Sequence, residues 1–363
     1  MKIKNKLFLV LLCFVFSFSA FATITEKDLA KKIQAIEKKN NTIIGITAIH
    51  IEDNTKIAHN NNQRFFMAST IKVPIAIAFL HLVDEKKESL NRVIKMDAKN
   101  SVPGSGSLYH IFEKKRTNMS TQQILKHMLI NSDNSASDTI LHAVNGPKYV
   151  TQYMVSLGFK NIVINRSILE MFLDTNHVDH ALLKTGARPV FSWQKIFNGI
   201  PLSKKVSSWQ KFQNDNRDTT TSDEMAKLLV KLHKNQALSE ASTNLVIKIM
   251  EQCRTGRSRI RGLLPGGVKV AHKTGTWAIS EVEYLRYPAS KKLFRFASDV
   301  GIITLPNNKG HIAIAVYVKS QSASDYPRSR SIALASRAIY DYFMQKPSQL
   351  VQKAVHHNKD KRA

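Results

Sequence analysis

The chain has 363 residues, with 54 Lys and Arg against 27 Asp and Glu, and a formal net charge of +27. A hydrophobic fraction of 43% fits a globular protein rather than a disordered one, and two cysteines exclude a disulfide-stapled scaffold. No C-x-x-C or H-E-x-x-H pattern occurs, so neither a metal mechanism nor a cofactor is expected.

Residues 1–22 read as a signal peptide. Lys2, Lys4 and Lys6 precede an apolar run from Leu7, and Ala20-Phe21-Ala22 fits cleavage after Ala22. The run is short for a membrane span, so a periplasmic or secreted location is expected, with an uncleaved anchor as the alternative. Cleavage removes Cys13, leaves Cys253 alone, and by taking three lysines and no acids lowers the charge to +24. Without a disulfide, stability must come from burial, which a chain of roughly 340 residues can supply. The charge suits anionic cell-wall or envelope polymers. No nucleic-acid motif is present, and a monomer is expected.

From Thr25 to Lys39, Leu29, Ile33 and Ile36 fall on one helical face, with Thr25 and Asp28 placed as a capping pair. Ile43 to Ile51 and Lys56 to His59 read as two strands joined around Asp53-Asn54. Next comes Ser69-Thr70-Ile71-Lys72, followed at once by the apolar run Val73 to Leu80, with Pro74 tolerated in the first turn. Residues three apart share a helix face, so Lys72 is within reach of Ser69. A serine oxygen activated by an amine would sit among the unpaired N–H groups of that turn. S-x-x-K alone carries little weight. It recurs at Ser192 to Lys195 and Ser208 to Lys211, neither of which opens an apolar helix.

Ser132-Asp133-Asn134 lies between the helical runs Gln122–Ile130 and Ala136–Ala143. Ser132 could relay a proton there and Asn134 could bind an amide; the plainer reading is a helix cap. Lys273-Thr274-Gly275-Thr276 follows Val268 and Val270, which alternate with polar neighbours as in a strand. Gly275 would let a substrate approach the strand edge. A decoy, Lys184-Thr185-Gly186, reads as a helix stop.

S-x-x-K, S-D-N and K-T-G in this order form a known motif set. The sequence resembles class A serine β-lactamases of the penicillin-binding-protein superfamily over nearly its whole mature length. Pro103 to Leu108, Arg217 to Thr221, Cys253 to Gly256, Arg259 to Pro265 and Asp299 to Ile303 extend the likeness. The resemblance implies Ser69 as the acylated nucleophile, Lys72 as its proton acceptor, Ser132 as the shuttle and Asn134 as the amide-binding residue. It implies Lys273 and Thr274 as holders of the substrate carboxylate, and the backbone N–H groups of Ser69 and Thr276 as the oxyanion hole. The family adds an arginine near that carboxylate. One common position is Val300 here, so Arg259 is taken as the replacement.

The departure from the family lies in the loop that carries its deacylating glutamate. The matching stretch is Asn165-Arg166-Ser167-Ile168-Leu169-Glu170-Met171. An ungapped register, which is preferred, puts Ile168 at the glutamate position. A gapped one makes Glu170 the base. The same loop is much longer than the family needs, over about residues 171–217. There Asp174, Asp179 and Asp215 face seven bases, and Trp193 and Trp209 mark a short internal echo. It reads either as a lid beside the site or as a solvated insertion whose tryptophans pack for stability. Arg166 and Asp218 are candidates for the bridge that closes the loop.

The expected fold is α+β, a three-layer sandwich with an antiparallel sheet. Residues 23–64 and 219–345 would build it around an inserted all-α region at 65–218, followed by a basic tail at 346–363. In the middle, almost no strand signal is present, and the terminal helix is expected over Ser329 to Met344. Three functions are compatible with this reading. The first, to which the residues and the resemblance commit, is β-lactam hydrolysis. The second is acylation with slow deacylation, as in a peptidase-like penicillin-binding protein. The third is a non-catalytic wall-binding module, against which the six intact motif residues argue.

Overall fold

The computed structural model describes residues 24–184 and 193–345. The expected signal peptide, the Thr185-Gly186 end of the decoy motif and the basic tail lie outside the described residues. Helix α1 (Glu26–Asn40) opens where Thr25 and Asp28 exchange the two hydrogen bonds of a capping box, and it buries Leu29, Ile33 and Ile36. Strands β1 (Ile43–His50), β2 (Lys56–His59) and β3 (Arg64–Phe66) follow. A 3₁₀ turn, Ala68–Ile71, then runs directly into α2 (Lys72–Asp84).

Next come β4 (Val93–Met96), α3 (Leu108–Phe112), β5 (Thr117–Ser120), α4 (Thr121–Ile130), α5 (Asn134–Ala143) and α6 (Pro147–Ser156). The long loop contributes α7 (Ile168–Asn176), α8 (Ala181–Lys184), α9 (Trp193–Gly199) and α10 (Leu202–Phe212). After it stand β6 (Thr219–Thr221), α11 (Ser222–His233), α12 (Glu240–Glu251), β7 (Val270–Trp277) and α13 (Glu281–Arg286). Finally, β8 (Arg295–Thr304) and β9 (His311–Ser320) lead into α14 (Tyr326–Met344).

The main sheet has the order β2-β1-β9-β8-β7, antiparallel throughout, so both ends of the chain build it and β7 is an edge. Alternation along the strands supplies two apolar faces. Ile44, Ile46, Ile312, Ile314 and Val316 pack with α1 and α14. Ala313, Ala315, Tyr317, Val300 and Ile302 pack with α11 and the helical region. Helix α2 is buried on all sides, as its unbroken apolar run Val73–Leu80 demands.

Two details differ from the sequence expectation. A small ribbon, β4–β5, stands in the region read as helical; its four-residue strands are too short to show a period. Helix α14 begins at Tyr326, ahead of Ser329, because Pro327 fits the first turn. In the long loop Trp193 and Trp209 are buried. Their indole N–H groups donate to Ser101 O at 3.2 Å and Phe294 O at 3.0 Å. The tryptophans pack for stability as one reading of the loop expects, and Trp209 and Phe197 also wall a cavity described below.

Candidate active site

Ser69 sits in the 3₁₀ turn ahead of α2, just after Ala68, whose φ of 48° is left-handed. The turn packs against β7. A Cβ on Gly275 would stand 2.8 Å from Met67 O and 3.0 Å from the Ser69 nitrogen. The glycine therefore makes room for the serine turn itself, whereas the sequence reading reserved that space for substrate. Side chains alternate along a strand, so Lys273 and Gly275 share the face turned to α2.

Lys72 follows Ser69 on the same turn and is fully buried. Its amine donates to Ser132 O at 2.6 Å, Asn134 Oδ1 at 2.8 Å and Ser132 Oγ at 3.2 Å. Among the described residues no hydrogen bond joins it to the Ser69 hydroxyl. A buried amine needs three acceptors, and the Ser132–Asn134 loop supplies them. Ser132 adopts a φ of 58°, the second left-handed residue at the site. Asp133 caps α5, accepting from Ala136 N at 2.9 Å, and holds Leu108 N at 2.9 Å. Cap and functional side chains thus occupy adjacent positions of one tripeptide. Asn134 also donates to Pro103 O at 2.8 Å, tying this loop to the segment before α3.

Lys273, fully buried on β7, donates to Ser132 Oγ at 2.9 Å and to Thr274 O at 2.7 Å. Burial brings its amine down to about 8. Burial and the neighbouring Lys273 charge hold Lys72 well below the ordinary lysine range. Both amines are therefore shifted toward the neutral, proton-accepting form. Thr274 and Thr255 share a hydroxyl contact at 2.5 Å. Arg259 is spread over many acceptors: Gly275 O at 2.7 Å, Ser298 O at 3.1 Å, Ser329 Oγ at 3.1 Å and Thr276 Oγ1 at 2.6 Å. Val300 is buried opposite Lys273 in the β7–β8 register and offers no charge. Ser69, Ser132, Arg259, Thr274, Thr276 and Thr255 line one cleft of about 190 Å³, in which no described lining residue is a carboxylate.

Glu170 lies elsewhere. It closes the capping box of α7, accepting from Ser167 N at 2.7 Å while its own N–H donates to Ser167 Oγ at 3.2 Å. Ile168, the first residue of α7, is buried in the apolar core. Its N–H and that of Leu169 donate to the Asp138 carboxylate at 2.7 and 3.0 Å. Sequence reasoning missed Asp138. Its signal was the four-residue spacing from Asn134, which puts both on one face of α5. Thr255, quoted only for its likeness, was also missed as a lining residue. The expected bridge is present: Arg166 Nε meets Asp218 Oδ2 at 2.6 Å, both side chains buried.

Beside the cleft, sharing Thr276, opens a second cavity of about 520 Å³. Phe172, Phe197, Trp209 and Trp277 line it, so α9 and α10 of the long loop form part of its wall.

A model of the beta-lactamase enzyme family matches residues 28–343. Beta-lactamase VEB-1 of Pseudomonas aeruginosa is 27% identical over 348 residues, spanning 95% of this chain and 100% of that relative. Extended-spectrum beta-lactamase PER-1, also of Pseudomonas aeruginosa, is 27% identical over 336 residues, 92% and 94% of the two chains. The crystal structure of TLA-3 extended-spectrum beta-lactamase superposes with a TM-score of 0.70 at 27% identity. It covers 88% of this chain and 100% of that one.

Proposed function

The chain belongs to the beta-lactamase enzyme family, and on that footing we propose that it hydrolyses β-lactams through an acyl-enzyme on Ser69. Ser69 Oγ attacks the ring carbonyl and its proton passes to the Lys72 amine. The oxyanion is met by the N–H groups of Ser69 and Thr276. Ser132 hands its proton to the ring nitrogen as the C–N bond breaks and takes one back from the Lys72 ammonium 3.2 Å away, which returns Lys72 to the neutral amine. Asn134 binds the side-chain amide, and Lys273, Thr274 and Arg259 receive the substrate carboxylate.

The observation that carries this reading is the convergence of two buried, depressed amines on the Ser132 hydroxyl in the cleft that Ser69 lines. Hydrolysis of the ester is the slow half. The Glu170 carboxylate is held in a helix cap, Ile168 is apolar, the Asp138 carboxylate accepts from the Ile168 and Leu169 N–H groups, and Lys72 is the base we assign to the water. With residues 1–22 as an export signal, the enzyme would meet its substrates outside the cytoplasm as a monomer, its charge favouring anionic envelope polymers.

Intact-protein mass spectrometry with a penicillin, followed from milliseconds to hours, tests the proposal. The expected result is a long-lived adduct on Ser69, with ring-opened penicillin released slowly and neither seen for Ser69→Ala. Ring opening by Ser69→Ala at the parent rate overturns the acyl-enzyme. A fast-clearing adduct overturns the slow second half.

A further inference from the structure

Toward the end of the sheet away from Ser69, three side chains from separate elements meet. They are Glu52 in the turn after β1, His233 at the end of α11 and His311 at the start of β9. One carboxylate oxygen and one ring nitrogen from each histidine all lie within 4.8 Å of one another. From this arrangement we propose a binding site for a late first-row divalent cation, Zn²⁺ or Ni²⁺, ligated by Glu52, His233 and His311.

Two imidazoles and one carboxylate are a donor set that suits such ions and leaves a position for water. The ligands are already oriented. His311 donates its backbone N–H to Glu52 Oε2 at 2.8 Å, and its Nδ1 lies 2.7 Å from Glu52 Oε1. The rings of His233 and His311 stand 4.4 Å apart at 45°. An ion pair between Glu52 and His311 accounts for two members of the group, but it leaves His233 unexplained. Its Nδ1 is buried without a hydrogen-bond partner among the described residues.

Support continues outward. His50 Nε2 lies 3.5 Å from Glu52 and 2.7 Å from Lys309 O, placing a further ring behind the carboxylate. Gly310, with a φ of 96°, stands where a Cβ would meet both Glu52 and His50. Lys234 opposes a bound cation, and the Glu52 charge offsets it. Ligand atoms around a tetrahedral ion stand about 3.4 Å apart, so a bound ion would replace the direct His311 Nδ1–Glu52 Oε1 contact of 2.7 Å and draw in groups that now stand up to 4.8 Å apart. Along β9 the group lies roughly 20 Å from the residues opposite Thr274 and Thr276, so it is separate from the catalytic cleft.

The test is isothermal titration of the EDTA-stripped mature chain with ZnCl₂, together with the visible d–d absorption of bound Co²⁺. A His356→Ala/His357→Ala variant, titrated alongside, removes the tail histidine pair as a competing site. The expected result is one equivalent bound by the parent and by that variant. His233→Ala and His311→Ala should each weaken binding at least tenfold, with loss of the Co²⁺ band. Glu52→Gln, the least disruptive change, should do the same while its thermal unfolding stays near the parent's. Unaltered binding by Glu52→Gln and His311→Ala, or no saturable binding once the tail pair is gone, overturns the site.

Discussion

The amines of Lys72 and Lys273, both fully buried, share one acceptor, the hydroxyl of Ser132. Burial, and then the Lys273 charge beside it, holds the Lys72 amine below the ordinary lysine range. Removing Lys273 as a charge should let Lys72 hold its proton to higher pH. We expect the rising limb of the acylation rate against pH to move upward in Lys273→Gln, and acylation at pH 7 to fall by about 10²-fold or more. Stopped-flow with a chromogenic cephalosporin reads both. An unmoved limb would mean that the amines titrate independently.

Glu170 makes the opposite prediction. Glutamine closes a capping box as well as glutamate does, so Glu170→Gln should leave deacylation and unfolding unchanged. Glu170→Ala should cost about 0.5–1 kcal/mol of stability, the usual worth of a cap bond. Urea unfolding and single-turnover deacylation settle the pair. A 10²-fold fall in Glu170→Gln would restore the gapped register.

Behind β7, His272 Nδ1 lies 2.9 Å from Asp299, and Cys253 stands beside the ring. Burial works against the imidazolium, yet Asp299 raises it to about 9. A folded value above the unfolded 6.5 stabilises below 6.5, and that stability is lost as pH rises through 9. Asp299→Asn should therefore cost most at pH 6 and below, about 3 kcal/mol, with the difference from the parent narrowing toward pH 9. Cys253 has the converse sign. Burial pushes the thiol up, His272 pulls it down to about 7, and the stability it adds fades as pH falls through 7. Between pH 7 and 9 this rise offsets the loss at His272, so Cys253→Ser should make thermal stability fall more steeply over that range than in the parent.

Asp218 holds the long loop by accepting from Arg166 Nε and from the backbone N–H groups of Asn165 and Arg166. Asp218→Ala would take the Nε partner from a buried guanidinium and the acceptor from two backbone N–H groups, leaving Asp174 and Asp215 on Nη1, a loss of about 3 kcal/mol. Thermal unfolding should show it, and limited proteolysis should cut first between α7 and α10. Stability within 1 kcal/mol of the parent would mean that Asp174 and Asp215, which also meet Arg166, carry the loop alone.

What could be read from the sequence was local. The capping pair Thr25 and Asp28, the apolar run after Lys72 and the alternation before Lys273 each declare themselves within one element. What could not be read depends on register. Gly275 faces the Ser69 turn only because β7 pairs with β8 as it does. Cys253, His272 and Asp299 meet only once α12, β7 and β8 are assembled. Glu170 and Ile168 compete for one role in an alignment, and the alignment does not disclose that Glu170 closes the α7 cap while Asp138, from another helix, accepts from the Ile168 and Leu169 N–H groups.

Ser132 and Ala68 both hold left-handed backbones without the freedom of glycine. Such positions cost on the order of 1 kcal/mol each and persist because the surrounding packing imposes them. At residue 132 glycine would relax the chain and at the same stroke remove the hydroxyl between the two lysines. That hydroxyl is the acceptor both buried amines share, and donors left without it cost about 1–3 kcal/mol each, more than the strain returned. The two amines thus hold a serine where the backbone alone would favour glycine.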